Sequence, residues 1–549
     1  MVLTEGKLRI AILGGAGEIG RNMMVLEYGK SIIIIDAGIM FPENYMLGID
    51  VVIPDLSYVV ERKDRVRAII VTHGHLDHIG ALPYLLEEVK APLYATLLTR
   101  GLIEVKLREH GIRDAEIHTI SPEDILDFNP FRIEFFRVSH SIPDCVGLAV
   151  STPVGMIVHS GDFKFDHSPV DGVRTDFAKL AELGGRGVLL LMSDSTNAET
   201  PGYTVSESAI QENFDHIFAN AQGRVIVATF ASNISRVQQI TETAMRYGRH
   251  VAVVGRSMVN NVKMAQKLGY LNVPDGGLIP INKAANLPHR KVALICTGSQ
   301  GEPTSALVRM SRDEFRSVRI VPGDTVIVSA TPIPGNEEMI NRTLDNLFRL
   351  GANVHYDELL KVHVSGHAGQ EEQKLMISLI KPEFFVPIHG EYRHLILHAQ
   401  LAQQVGIPED NTIIMESGDV LEIDGDFARI VDRVSQDYVF VDGRGVGDVG
   451  EVVLEDRRLL AENGFLVASV TLDRISGKIV AGPEIISRGF VYVRESEELL
   501  ERARQAVVRV VERGGDRALL GKRIKDALTR FAYEEIGRRP VILPVVLEV

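Results

Sequence analysis

The 549 residues carry 59 Lys and Arg against 73 Asp and Glu, a formal net charge of −14, with 45% apolar and 24% charged residues. That length exceeds what one hydrophobic core holds, and the composition is that of ordinary globular domains, which excludes a low-complexity or largely disordered chain. The acidic balance argues against a broad phosphate-binding surface, no apolar run reaches the roughly 18 residues of a membrane span, and no secretory leader opens the sequence.

The two cysteines, Cys145 and Cys296, stand far apart without a CxxC partner. That spacing fits a reducing cytosol and argues against a cysteine-ligated zinc. A cytoplasmic protein without a membrane partner is the expectation.

Short β-runs separated by turn signals fill the first two hundred residues: KLRIAIL (7–13), MMVLEYG (23–29), KSIIIID (30–36), RAIIVT (67–72), RIEFFRVSH (132–140), VGLAVST (146–152), GMIVHSG (155–161) and GVLLLMSDS (187–195). Helical spacing marks 81–89 and 97–111, so a layered α/β domain is predicted. From 206 the rhythm lengthens into alternating helices and strands, among them RVIVATF, HVAVVG, KVALICTG and TVIVSATPI, which predicts a doubly wound parallel insert. Around 380–430 short strands return (FFVPIHG, TIIMESG, DVLEIDG), as if completing the first domain. The Gly/Asp-rich stretch 440–451 reads as a linker. Beyond it comes a small α+β unit, with strands at FLVASVTL (465–472), FVYVRE (490–495) and 541–549 and helices at 496–513 and 517–537.

Gly15, Gly17 and Gly20 follow the strand IAIL in G-x-G-x-x-G spacing, with Asp36 downstream, which imitates a dinucleotide-binding fingerprint. That fingerprint needs a helix opening at the third glycine and a long crossover. Here MMVLEYGK turns straight into SIIIID, so a hairpin is the expectation and a nucleotide cofactor is not.

The stretch VTHGHLDHIG (71–80) carries the chemistry. His73 and His75 alternate where a strand ends, with Asp77 and His78 on the following turn. Four such side chains in six residues point to a metal site, and imidazole with carboxylate suits zinc, manganese or iron better than calcium. His140, Asp162 and His389 each follow an apolar strand, as Asp36 does. Taken together they predict one pocket of His73, His75 and His140, a second of Asp77, His78 and His389, and Asp162 bridging. Two cations so close favour phosphoryl displacement, and Asp36 is expected to orient a ligand.

HGHLDH with His140 and Asp162 resembles the metallo-β-lactamase fold. The long insert after Asp194, then HVSGH and VPIHGE, resembles its β-CASP branch. Across nearly the whole chain the motifs LGGAGEIGRN, FPENYMLGIDVVIPD, SDSTNAE, ATFASNISRVQQI, CTGSQGEP and KVHVSGHAGQEEQK resemble bacterial ribonuclease J. The resemblance implies an α/β chain: an αββα sandwich over 1–205 and 366–432, an inserted β-CASP domain over 206–365, a linker at 433–450 and an α+β C-terminal domain over 451–549.

It further implies a two-metal ribonuclease attacking the phosphodiester with hydroxide. Such an enzyme has 5′→3′ exonuclease action preferring a 5′-monophosphate, and endonuclease action, in maturation (ribosomal RNA processing included) and decay. Asp194 and His367 match positions near the leaving group. His363, Val364, Ser365, Gly366 and His367 match a substrate loop, and Ser232, Asn233 and Ile234 a second substrate segment, for which a helix cap is the rival reading. Gly48, Asp50 and Asp442 match a peripheral calcium position, while the active-site pair is Zn2+ or Mn2+.

Single-stranded RNA is the implied substrate, with a homodimer or homotetramer formed through the C-terminal domain and other RNA-decay proteins as partners. The alternatives are a DNA nuclease of the same branch, or a catalytically silent RNA-binding or assembly subunit.

Overall fold

In the computed structural model, which describes residues 6–332, 336–357, 359–490 and 497–549, the early apolar runs become two facing sheets. The first has eight strands, in spatial order Ala428–Arg433, Asp419–Ile423, Leu8–Gly14, Met23–Tyr28, Ser31–Ile35, Val66–Ile70, Leu93–Ala95 and Ile117–Thr119. The second runs Pro382–Ile388, Val188–Asp194, Gly155–His159, Cys145–Thr152, Phe131–Val138 and Ile125–Phe128. Between them Ile10, Leu26, Ile33 and Ile70 meet Phe135, Leu148, Ile157, Leu190 and Val386 in one core. Each such side chain contributes roughly 1.5–3 kcal/mol by leaving water. All five residues of Ser31–Ile35 are buried, because helices cover the outer faces as well. Helices Leu82–Glu88 and Leu97–Glu109 accompany the first sheet; Phe177–Arg186, Gln370–Ile380 and Tyr392–Gln404 accompany the second. The layers are α, β, β, α.

The glycine-rich decoy is a hairpin. Leu8–Gly14 pairs antiparallel with Met23–Tyr28, which pairs antiparallel with Ser31–Ile35, and no helix intervenes. A Cβ on Gly14 would lie 2.1 Å from the Arg21 carbonyl oxygen, so glycine is needed there for close backbone approach rather than for phosphate.

The chain leaves the sandwich after Asp194 and returns at Pro382–Ile388, which pairs in parallel with Val188–Asp194 and puts Ile388 opposite Asp194. Excursion and return thus deliver Asp194 and His389 to one sheet end. The excursion builds a five-stranded parallel sheet, ordered His250–Val254, Val292–Cys296, Val225–Ala228, Thr325–Val328 and Asn353–His355. Crossover helices such as Ile234–Arg246 and Glu337–Arg349 connect its strands, and its core is separate from that of the sandwich. Both cysteines are free and buried.

A second compact unit joins Pro42–Asp50 with Phe440–Val549. The stretch expected to be a linker is structured: Val439–Asp442 pairs with Gly445–Val446, Phe440 and Val441 are buried, and a helix follows over Glu451–Asn463. Two apolar residues among glycines suffice to anchor a hairpin. Further on, Phe465–Leu472 is the central strand of a three-stranded sheet, with Ile479–Arg488 antiparallel on one side and Val541–Glu548 parallel on the other. The strand Ile479–Arg488 was not expected, since Gly482 and Pro483 interrupt its pattern. The strand expected at 490–495 lies, after Phe490, outside the described residues. Helices Glu497–Glu512 and Leu520–Ile536 pack on one face of the sheet through Leu500, Val507, Ile524 and Leu528. Among the described residues no helix is long and apolar enough to cross a membrane.

Candidate metal centre

His73 and His75 follow the strand Val66–Ile70, and a four-residue helix, Leu76–Ile79, carries Asp77 and His78. Four of the histidines have Nδ1 tied to a protein partner and Nε2 turned toward the other candidate ligands. His78 Nδ1 lies 2.8 Å from Asp36 Oδ2, and His140 Nδ1 lies 2.8 Å from the Gly366 carbonyl. Thr72 donates its hydroxyl to Asp36 and so accepts from His73 Nδ1 at 3.0 Å; Thr196 donates to Asp194 and accepts from His389 Nδ1 at 2.7 Å. Each Nδ1–H is therefore spent, and each Nε2 lone pair faces the site. Asp36, held at φ 61°, also accepts the Thr72 amide at 2.8 Å, which fixes the strand end that presents His73.

Those nitrogens converge. His75 Nδ1 lies 3.1 Å from both His73 Nε2 and His140 Nε2. Asp77, His78, Asp162 and His389 form a second group. Asp162 Oδ2 reaches both, at 3.6 Å from His73, 3.9 Å from His140, 3.2 Å from His78 and 3.3 Å from His389. A tetrahedral ion about 2.0–2.1 Å from each ligand separates its ligand atoms by about 3.3–3.5 Å. Separations and donor set both fit divalent cations, with Asp162 able to serve two.

Burial and neighbouring imidazoles hold His73 and His140 well below the ordinary histidine pKa, and burial brings His75 down to about 4. All three are therefore neutral at physiological pH, the form in which imidazole can bind a metal. In the second group burial is outweighed by carboxylates: Asp162, Asp77 and Asp36 raise His78, while Asp162, Asp77 and Asp194 raise His389 to about 9. The same negative field is what a dication in that position would neutralise, taking the place of the protons.

At the rim, His367 Nδ1 lies 2.7 Å from Asp194 Oδ2, and the carboxylate lifts the imidazole above its ordinary pKa despite burial. The His367 ring stands 4.9 Å from that of His140 and 5.3 Å from that of His389. In the loop 363–367, a Cβ on Gly366 would lie 2.7 Å from the His140 ring, so only glycine fits. Ser365 Oγ accepts from Asn197 Nδ2 at 2.8 Å, while His363 and Val364 are buried. In the second segment Asn233 caps the helix Ile234–Arg246 by accepting from the Arg236 amide, Ile234 is buried and Ser232 is half-buried. The helix-cap reading thus describes Asn233.

Gly48, Asp50 and Asp442 do come together, but around an arginine. Arg457 donates to Leu47 O at 2.9 Å and to Asp442 Oδ2 at 2.5 Å, and a Cβ on Gly48 would lie 2.7 Å from its Nη1. Asp50 accepts from the Gly443 amide at 2.8 Å. Calcium takes six to eight oxygens, and here a guanidinium occupies Asp442 Oδ2 and Leu47 O and brings a positive charge among the donors. These residues do not fit the calcium expectation.

Sequence reading missed Thr72, Thr196 and Asn22, whose Nδ2 donates to Asp77 O at 3.0 Å and lies 3.2 Å from His78 Nε2. Asn22 ends the motif LGGAGEIGRN, so its place beside the hairpin glycines was the available signal.

Comparison with known proteins agrees with this geometry. Family models match as "Metallo-beta-lactamase superfamily" over residues 16–198, "Ribonuclease J, beta-CASP domain" over 222–347, "Zn-dependent metallo-hydrolase RNA specificity domain" over 353–414 and "Ribonuclease J C-terminal domain" over 452–549. The chain is 45% identical to Ribonuclease J2 of Bacillus subtilis (strain 168), covering 99% of each chain. It is also 45% identical to Ribonuclease J 1 of Streptococcus pyogenes serotype M3, over 99% of this chain and 98% of that one. A crystal structure of a protein of unknown function from Enterococcus faecalis V583 shares the fold over 76% of this chain and all of its own, with a TM-score of 0.54 at 16% identity. The chain belongs to the ribonuclease J family and is a metal-dependent, RNA-binding ribonuclease.

Proposed function

We propose that this ribonuclease degrades RNA processively from the 5′ end, prefers a 5′-monophosphate and also cuts internally, in RNA maturation and decay in the cytoplasm. The observation that carries the reading is one carboxylate, Asp162, within 3.9 Å of ligand atoms in both histidine groups. On this reading His73, His75 and His140 would hold one Zn2+ or Mn2+, Asp77, His78 and His389 would hold a second, and Asp162 would serve both. A bound pair of such ions supplies Lewis-acid and water-activating chemistry for phosphodiester hydrolysis. Asp36 keeps His78 oriented. His367, whose pKa the Asp194 carboxylate raises, donates a proton to the departing 3′-oxygen.

The loop 363–367 and the segment 232–234 hold the RNA phosphates. Supporting this is the contact of Gly366 with His140, which brings the loop within one residue of the ligands, as a terminal phosphate one nucleotide from the cleaved bond requires. The sandwich comprises 1–205 and 366–432, and the insert 206–365.

The C-terminal unit assembles two or four copies and offers a surface for other RNA-decay proteins. In support, Ile486, Leu543, Val545 and Leu547 are exposed on the sheet face opposite the helices. The direct test follows RNA carrying a 5′-monophosphate, a 5′-triphosphate or an internal label. Mononucleotides released fastest from the monophosphate form are expected; equal rates with only internal fragments would overturn the reading.

A further inference from the structure

Lys164, Glu207 and Arg236 are almost fully buried, and none belongs to the metal centre. Lys164 comes two residues after Asp162. Its amide donates to Ser139 O, beside His140, at 2.8 Å, and its ammonium donates to Ser365 O at 3.1 Å. Arg236 lies in the insert, on the helix that Asn233 caps. It donates to Val362 O at 2.9 Å, and Ser329 Oγ donates to the same carbonyl at 2.6 Å. The carbonyls of Val362, just before the loop, and of Ser365, in its middle, are thus gripped by cations from two different domains.

Glu207 joins the two cations. Its Oε2 accepts from Arg236 Nη2 at 2.6 Å, and its Oε1 stands 3.5 Å from Lys164 Nζ, paired by charge but without a hydrogen bond. Asp166 completes the set, 3.6 Å from Lys164 and accepting the Glu207 amide at 2.9 Å. Two cations and two anions balance, as buried charge demands. An apolar cluster would hold two domains together as well. What a charged set adds is a fixed register, since each hydrogen bond has one geometry.

We infer that Lys164, Glu207 and Arg236 are positioning residues that clamp the loop 363–367 at a set distance from Asp162 and His140, and so determine how RNA phosphates meet the metal centre. The inference rests on the reading of that loop as the phosphate-holding segment. It goes further in assigning the loop's placement to a buried ion network that spans both domains and touches neither metal nor RNA.

The test is steady-state cleavage of a 5′-monophosphorylated RNA oligomer by the full chain. Glu207→Gln keeps the shape and removes the charge joining the two cations. KM is expected to rise about tenfold, with kcat within about twofold and metal content unchanged. Lys164→Met should raise KM likewise and Lys164→Arg should recover part of the loss. That pair carries the test if Glu207→Gln fails to fold, because KM does not depend on the folded fraction.

A merely structural role would lower melting temperature and active fraction and leave KM alone; an unchanged KM in Glu207→Gln and Lys164→Met overturns the clamp. Ser365→Ala separates the two readings. If it leaves KM unchanged, the loop reading fails and the clamp with it; if it raises KM while Glu207→Gln does not, the clamp alone fails.

Discussion

His367 Nδ1 and Asp194 Oδ2 are 2.7 Å apart, although 173 positions separate them in the chain. The pair exists because the strand ending at Asp194 and the segment re-entering from the insert meet at one sheet end. His367→Ala should lower kcat by about 10²–10⁴-fold, the usual share of a positioned general acid, while metal content stays at the wild-type level. Single-turnover cleavage and elemental analysis check both halves. A variant that loses metal instead would make His367 a ligand.

Asp36 is buried and hydrogen-bonded to His78 Nδ1 and to the Thr72 amide. Asp36→Asn replaces one acceptor with a donor and leaves His78 Nδ1 without its partner. Chelator competition should show metal affinity lowered by about 10–100-fold, with cleavage restored by excess metal. Unaltered affinity would remove Asp36 from the site.

The outward face of the C-terminal sheet offers a test of assembly. Val467, Leu543 and Ile486 lie side by side there in register, and Leu543 is 49% exposed. Leu543→Glu should reduce the mass in solution to that of one chain without lowering the melting temperature, since the side chain is outside the core. An unchanged mass under light scattering would place the interface elsewhere.

Arg457 should make the peripheral loop indifferent to calcium. A calcium-specific chelator is expected to leave the thermal unfolding of the wild type unmoved. Arg457→Ala should cost on the order of 1 kcal/mol, because the pair with Asp442 is about one-third exposed and screened. A clear destabilisation by the chelator would restore a calcium site.

The sequence made the sandwich and the insert readable because their strands are short apolar runs with a change of rhythm at the boundary. His73, His75, Asp77 and His78 were visible because they crowd into six residues. His140, Asp162 and His389 each follow an apolar strand, and that placement groups them with the crowded residues independently of any family resemblance. Thr72, Thr196 and Asn22 escaped because small polar residues at turns look alike until their partners are known. Lys164, Glu207 and Arg236 escaped for a stronger reason: sequence reading assigns charged residues to the surface, and Glu207 pairs with Lys164 across 43 positions (207 − 164) and with Arg236 across 29 (236 − 207). The strand Ile479–Arg488 was hidden by Gly482–Pro483 and by its exposed residues.

The most direct measurement is elemental analysis of the purified chain and of Asp162→Ala, paired with RNA cleavage by each. Two equivalents of zinc or manganese per chain are expected, dropping in the variant together with activity. Full cleavage by Asp162→Ala, or by wild type stripped of metal and held in chelator, would contradict a bridged two-cation centre.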